Sequence, residues 1–113
     1  MILIGFKGKH FDDLKILRQQ IQKGLIGGLL VMNYNIINKR QITKLIRKIK
    51  KVKSSYPLFI ALDQEGGRVS RLNTKKGYSD FPSHKDVAKK LSKEKAYKLY
   101  SRLAKALKIS DLT

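Results

Sequence analysis

Apolar residues fall into two kinds of run along this chain. Three runs are short and unbroken: Met1-Ile2-Leu3-Ile4 closed by Gly5, Leu29-Leu30-Val31-Met32 after Gly27-Gly28, and Leu58-Phe59-Ile60-Ala61-Leu62 ending at Asp63. Unbroken hydrophobicity over four or five residues predicts a strand covered on both faces, the usual state of a parallel sheet. The other runs are spaced for helices. Leu14, Leu17 and Ile21 form one stripe between Asp12 and Lys23; Ile42, Leu45, Ile46, Ile49 and Val52 form a second; Ala96, Leu99, Tyr100, Leu103 and Leu107 form a third. Each stripe would pack on a sheet and leave lysine and arginine outside. The order βαβαβ-loop-α, with strands recurring at roughly the 30-residue length of a βαβ unit, predicts parallel strands and an α/β fold.

Polar residues mark the ends of these elements. Asp12 and Asp13 sit where a helix N-terminus favours negative charge, and Gly24 follows the predicted end. Asn38 can cap a helix extending to about Lys53, which Ser54-Ser55-Tyr56-Pro57 then breaks. Ser83, with Asp86 three positions on, predicts a short helical turn to Leu91, and Ser92 starts the last helix. The stretch 63–83, with Gly66, Gly67, Gly77 and Pro82, is longer than the ~12–15 residues beyond which a loop in a compact domain usually serves function.

Composition narrows the class. A chain of 113 residues with 42% hydrophobic residues suits one folded domain over 1–113. No apolar run approaches the ~18–20 residues that span a bilayer, and Gly5-Phe6-Lys7 interrupts the apolar start too early for a secretory leader. A cytoplasmic location is the expectation, with which the absence of cysteine agrees. The formal net charge is +18, but it comes from 20 Lys and 6 Arg spread over every helical segment. Base and phosphate reading leans on the guanidinium fork, so neither nucleic acid nor membrane is expected as a partner.

The densest chemistry is Asp63-Gln64-Glu65-Gly66-Gly67-Arg68-Val69-Ser70-Arg71: two carboxylates, two guanidinium groups and a glycine turn within nine residues. Asp63 directly follows a predicted strand, at the carboxyl edge where parallel α/β folds bind ligands. Asp63 and Arg71 could grip a polyhydroxylated ligand, one accepting and one donating hydrogen bonds; equally, the charges could form an internal network that pins the loop. Asp63 and Glu65 do not suit the two carboxylates of a glycosidase. Two residues apart on extended chain they stand ~6.5–7 Å apart on one side, whereas nucleophile and acid must flank the scissile bond. His84 reads as a surface or capping residue, and His10 lacks a partner at metal-ligand spacing, so neither a metal site nor a cofactor is expected. Gly5-Phe6-Lys7-Gly8-Lys9 lacks the spacing of a phosphate loop.

The segment Ala61-Leu62-Asp63-Gln64-Glu65-Gly66-Gly67-Arg68-Val69-Ser70-Arg71-Leu72 resembles the signature of glycoside hydrolase family 3, in its β-N-acetylglucosaminidase branch. Ile4-Gly5-Phe6-x-Gly8, Gly27-Gly28-Leu29-Leu30 with Asn33-Tyr34-Asn35, and Phe81-Pro82-Ser83 resemble further family segments in the same order, so the likeness extends over about residues 1–107. The resemblance implies the first three βα units of a TIM (β/α)8 barrel and a retaining β-N-acetylhexosaminidase acting on terminal N-acetylglucosamine, in peptidoglycan recycling. It further implies that Asp63 and Arg71 bind the sugar, that Glu65, Gly66, Gly67 and Arg68 shape the loop, and that the nucleophilic aspartate and acid/base histidine lie on later barrel loops.

An eight-unit barrel needs about 250 residues. Ile109-Ser110-Asp111-Leu112-Thr113 does not read like the Gly-Ile-Asn-x-x-x-Ala-Pro run expected at the fourth strand. The expectation is therefore an interrupted barrel without catalytic residues, inactive alone, with a C-terminal half as a possible separate chain. Its inward face, through Ile2, Ile4, Leu30, Phe59 and Ala61 or their alternate neighbours, would be left bare. A non-catalytic sugar-binding or interaction module, and a basic nucleic-acid-binding protein, are the alternatives.

Overall fold

A computed structural model describes residues 2–112; the part of the first predicted strand that falls on Met1, and Thr113 in the predicted tail, lie outside the described residues. Three strands, β1 (Leu3–Gly5), β2 (Gly28–Val31) and β3 (Phe59–Leu62), form a parallel sheet in the order β1-β2-β3. Helices α1 (Lys15–Gln22) and α2 (Lys39–Lys50) make the two crossovers. The α/β fold follows from the alternation in the sequence, because parallel neighbours require such crossovers.

The helical stripes set the layers. Leu14, Leu17 and Ile21, with Ile42, Leu45, Ile46 and Ile49, are buried against Leu29 and Val31 of β2. Acidic Asp12 and Asp13 lie in a 3-10 turn, Phe11–Leu14, rather than in the α-helix proper. Asn38 caps α2, its side chain accepting from Gln41 N at 2.9 Å. Two further helices follow: a short α3 (His84–Lys90) capped by Ser83 and a 17-residue α4 (Lys93–Ile109) capped by Ser92. Phe81, Val87 and Leu99 form a second, smaller core there. Tyr100, predicted on the inner stripe of α4, is instead 38% exposed. Its ring stacks on His84 and its hydroxyl lies 2.6 Å from Nδ1, because the stripe is wider than the surface it meets.

The radius of gyration, 15.3 Å, exceeds the ~13 Å of a compact chain this long. The molecule is elongated, 47 × 26 × 21 Å, and its sheet is covered on one side only. In register, Leu3 pairs with Gly28 and Phe59, and Gly5 with Leu30 and Ala61. Alternation puts these residues on one face, where Leu3 is 53% and Phe59 61% exposed. Ile4, Leu29 and Ile60 form the next row and turn to the helices. Leu30, Phe59 and Ala61 thus lie on the bare face as expected, but Ile4 does not, and Leu3 takes its place; one residue of register exchanges the faces. A Cβ at Gly28 would lie 2.7 Å from Leu3 Cδ1, so Leu3 leans into the space that glycine leaves.

The tail is built into the core. Leu112 N donates to Leu107 O (3.0 Å) and Asp111 N to Lys108 O (3.1 Å), with Asp111 at φ 58°. This pair of bonds and the left-handed residue end α4 in a Schellman turn, which brings Leu112 into the main core at 5% exposure.

Candidate functional site

The carboxyl edge of the sheet is assembled from three loops. Asn35, fully buried after β2, ties two of them: Nδ2 donates to Phe6 O (2.8 Å) and Gly8 O (2.9 Å), and Oδ1 accepts from Met32 N (2.8 Å). The third loop follows β3 and joins through Lys76, whose Nζ donates to both Asn33 O, at 3.0 Å, and Asn33 Oδ1. Burial, aided by the positive charges of Arg71 and Lys9, lowers the Lys76 pKa below the ordinary lysine value. Tyr34 also leans over this edge, its hydroxyl 3.6 Å from where a Gly5 Cβ would stand.

The loop of residues 63–83 is not structureless. Gln64–Gly66 (β4) and Val69–Ser70 (β5) pair antiparallel around the Gly66-Gly67 turn. Gln64 holds it from inside: Oε1 accepts from Arg71 N (2.8 Å) and Leu72 N (2.9 Å), while Nε2 donates to Ser70 Oγ (2.8 Å) and Leu72 O (3.2 Å). All four hydrogen-bonding positions of the amide are thereby used. Gly66 has φ 79°, and a Cβ there would stand 2.1 Å from Pro82 O. Gly67 N donates to Phe81 O at 2.9 Å, so the turn is pressed onto Phe81-Pro82-Ser83.

That anchoring fixes Asp63 and Arg71. Asp63 lies two residues beyond Ala61, where alternation carries it to the side of the bare sheet face. Its side chain is 51% exposed, and Arg71 Nη2 approaches Asp63 Oδ2 at 4.0 Å. This distance is the outer limit of an ion pair and too long for a hydrogen bond, so the two groups face each other with bonding capacity left over. Arg71 Nε is buried and, among the described residues, has no hydrogen-bond partner. Glu65 and Arg68 are exposed on the hairpin, and the bonds that order the loop come from Gln64. A carboxylate and a guanidinium that converge without neutralising one another can receive a ligand hydroxyl and donate to a ligand oxygen.

Gln64, Lys76, Asn33 and Tyr34 are neighbours to which pattern reading gave no role, although Asn33 and Tyr34 lie in a segment that carries the resemblance. Gln64 had a signal, its place inside the signature. Lys76 had none, since its role depends on a contact across 43 residues of sequence.

Residues 5–113 match the family model described as the glycosyl hydrolase family 3 N terminal domain. The chain belongs to that family. Among curated family 3 relatives, a beta-hexosaminidase of Haemophilus ducreyi is 35% identical over 83 residues, covering 74% of this chain and 23% of the relative. One from Haemophilus influenzae is 34% identical over 91 residues, covering 80% and 24%. The chain thus spans about a quarter of the length of these relatives. A solved family 3 beta-N-acetylglucosaminidase from a Paenibacillus species superposes with a TM-score of 0.83 at 25% identity, over 96% of this chain and 20% of that one. NagZ from Neisseria gonorrhoeae shares the fold at a TM-score of 0.69 and 21% identity, over 93% of this chain and 33% of that one.

Proposed function

We propose that these residues supply the sugar-holding part of a retaining β-N-acetylhexosaminidase, with Asp63 and Arg71 binding the terminal N-acetylglucosamine of a β-linked saccharide. The observation that carries this reading is the convergence of the two side chains, 4.0 Å apart and incompletely satisfied, at the carboxyl edge of a parallel sheet. Relatives called beta-hexosaminidase and a superposable beta-N-acetylglucosaminidase favour a hexosaminide over other glycosides. In this reading Asp63 accepts from sugar hydroxyls and Arg71 donates to a hydroxyl or acyl oxygen, fixing the ring for attack. Neither performs the attack. The nucleophilic aspartate and the acid/base histidine would come from later βα loops, because both must flank the bond from positions Asp63 and Glu65 cannot share.

The three strands are then the first three units of a TIM barrel, and the residues of 1–113 form part of a family 3 N-terminal domain. The bare layer of Leu3, Leu30, Phe59 and Ala61 is its inward wall, which five further strands would cover. Those strands, and with them catalysis, would have to be contributed by polypeptide other than these 113 residues, on the same or a second chain. Removal of terminal β-linked N-acetylglucosamine from peptidoglycan fragments during their recycling in the cytoplasm is the role that fits this reading.

Calorimetry with N-acetylglucosamine and hydrolysis of p-nitrophenyl N-acetyl-β-glucosaminide test it together. Expected are no turnover by the 113 residues, and sugar binding, alone or after the remaining barrel units of a relative are added, that Asp63→Ala and Arg71→Ala each weaken at least about tenfold, the effect of ~1.4 kcal/mol. Turnover abolished by Asp63→Ala would overturn the non-catalytic assignment. Sugar binding indifferent to both substitutions would overturn the site.

A further inference from the structure

Positive charge covers every helix of this protein, but one long stretch carries it without any acidic residue. Between Asp13 and Asp63 the sequence contains no acidic residue, while it places eleven lysines and arginines there. These 49 positions, 14–62, hold α1 and α2. The opposite end differs: on α3 and α4, Lys90 pairs with Asp86 at 3.2 Å and Lys98 with Glu94 at 2.7 Å. α3 and α4 still carry nine lysines and arginines against these two carboxylates, so what sets α2 apart is not more charge but the absence of any acidic residue along it.

The fold shapes that accumulation into a ridge between clefts. Arg40, Lys44, Lys48 and Lys51 follow one another at helical spacing along the exposed side of α2. Eleven residues of helix rise ~16–17 Å, the axial span of about five phosphates on one strand of a duplex. Lys39, Thr43 and Arg47, the last paired with the Asp111 carboxylate, join the ridge in a cleft of about 690 Å³ on one flank. On another flank a cleft of about 540 Å³ is lined by Arg18, Lys48, Lys51 and Lys53 over Phe11, with the Asp12 carboxylate among them. There Arg18 and Lys48 both stand on the Phe11 ring, 4.6 and 5.6 Å from its centroid. Arg18 Nε is buried and, among the described residues, lacks a hydrogen-bond partner. Two cations held on one ring repel each other, and Asp12 is the single carboxylate among the described residues of the cleft's lining to offset them.

We infer that the outer face of α2, with the α1 cleft beside it, is a docking surface for the phosphodiester backbone of nucleic acid, bound without base reading. Charge complementarity selects a polyanion. Lysine predominates on the ridge, and an ammonium neutralises phosphate as a point charge without the fork that distinguishes bases. A lipid surface fits less well, because the apolar residues of α2, Ile42, Leu45, Ile46 and Ile49, are at most 2% exposed. They belong to the core, and Ile109 is the one apolar side chain among the described residues lining the larger cleft, too little to insert among acyl chains. Concave flanks also suit a strand better than a flat bilayer. This surface lies on the helical side of the sheet, away from the bare face, and does not depend on the sugar site.

Fluorescence anisotropy with a labelled duplex of arbitrary sequence, titrated with the whole chain between about 50 and about 200 mM salt, tests it. Affinity is expected to fall linearly on a logarithmic salt scale, by about 0.9 in slope for each phosphate neutralised. The triple variant Lys44→Gln, Lys48→Gln, Lys51→Gln should lower that slope by about 2–3. A second triple variant, Lys85→Gln, Lys93→Gln, Lys105→Gln, removes the same charge from exposed positions on α3 and α4 and should keep most of the binding. Circular dichroism checks that both fold. Equal losses in the two variants would overturn the proposal in favour of net charge alone. So would absence of salt-dependent binding, or binding to phosphatidylglycerol vesicles with none to the duplex.

Discussion

Tyr78 Oη and Ser110 Oγ lie 2.6 Å apart in the buried interior, joining the loop after β3 to the turn that ends α4. They lie 32 positions apart in sequence, and the bond pins the loop of residues 63–83 to the tail. Replacing either partner leaves a buried hydroxyl unpaired. Tyr78→Phe and Ser110→Ala are each expected to cost ~1–3 kcal/mol in urea unfolding. The double variant should cost less than the sum.

The same tyrosine predicts an alkaline limit. Burial raises the Tyr78 pKa above its ordinary 10.0, with the Ser110 bond acting in the opposite direction. A raised folded value means that the stabilisation is complete below the ordinary value and is lost as pH rises through the folded one. The urea midpoint of the native chain should therefore fall more steeply than that of Tyr78→Phe as pH rises above the ordinary tyrosine value of about 10. Parallel curves for the two proteins would refute this.

Asn35 carries three backbone groups at once, and each would be stranded without it. Asn35→Ala is expected to destabilise by at least ~2–4 kcal/mol, since several buried polar groups lose their partner together. Asn35→Asp should be no better near neutral pH, because a carboxylate would face the carbonyl oxygens of Phe6 and Gly8 that the amide now serves. Thermal melts of the two variants give the comparison.

At Gly66, space and backbone conformation both exclude a side chain. Gly66→Ala should cost more than the ~1 kcal/mol of an ordinary glycine-to-alanine change at positive φ. It should also loosen the hairpin that carries Arg71, read as faster amide exchange over residues 64–72 while the exchange of α2 stays unchanged.

Substitution of Phe59, more than half exposed on the bare face, should do the opposite of a core change. Phe59→Lys is expected to alter stability by no more than ~0.5 kcal/mol while reducing binding of a hydrophobic dye. A loss of several kcal/mol would mean that this face is already covered.

Much of this was legible because local signals agreed with the fold. Asn38, Ser83 and Ser92 are all caps, and the buried residues of α2 are those of its sequence stripe, because capping and amphipathicity act within a few residues. What escaped depends on distance. Nothing local distinguishes Ile4 from Leu3, so which of them meets the helices is decided by pairing with β2. The β4–β5 hairpin has strands of three and two residues, too short for a periodic signal. The tail at Ser110–Leu112 failed as a strand and was legible as nothing else, since its turn rests on an aspartate rather than the usual glycine. Asp63 and Arg71 stood out by motif; that they meet at 4.0 Å needed the turn at Gly66 and the internal bracing of Gln64.

The methyl of Leu3 that occupies the hollow over Gly28 works as a key in a slot. A strand of three residues has too few ladder bonds to hold its position along a neighbour, and here shape does so instead: sliding β1 in either direction would drive a branched side chain against the β2 backbone. Filling the hollow, as Gly28→Ala would, should therefore release the first strand to slip and set the Gly8 loop adrift from Asn35, before it unfolds anything else.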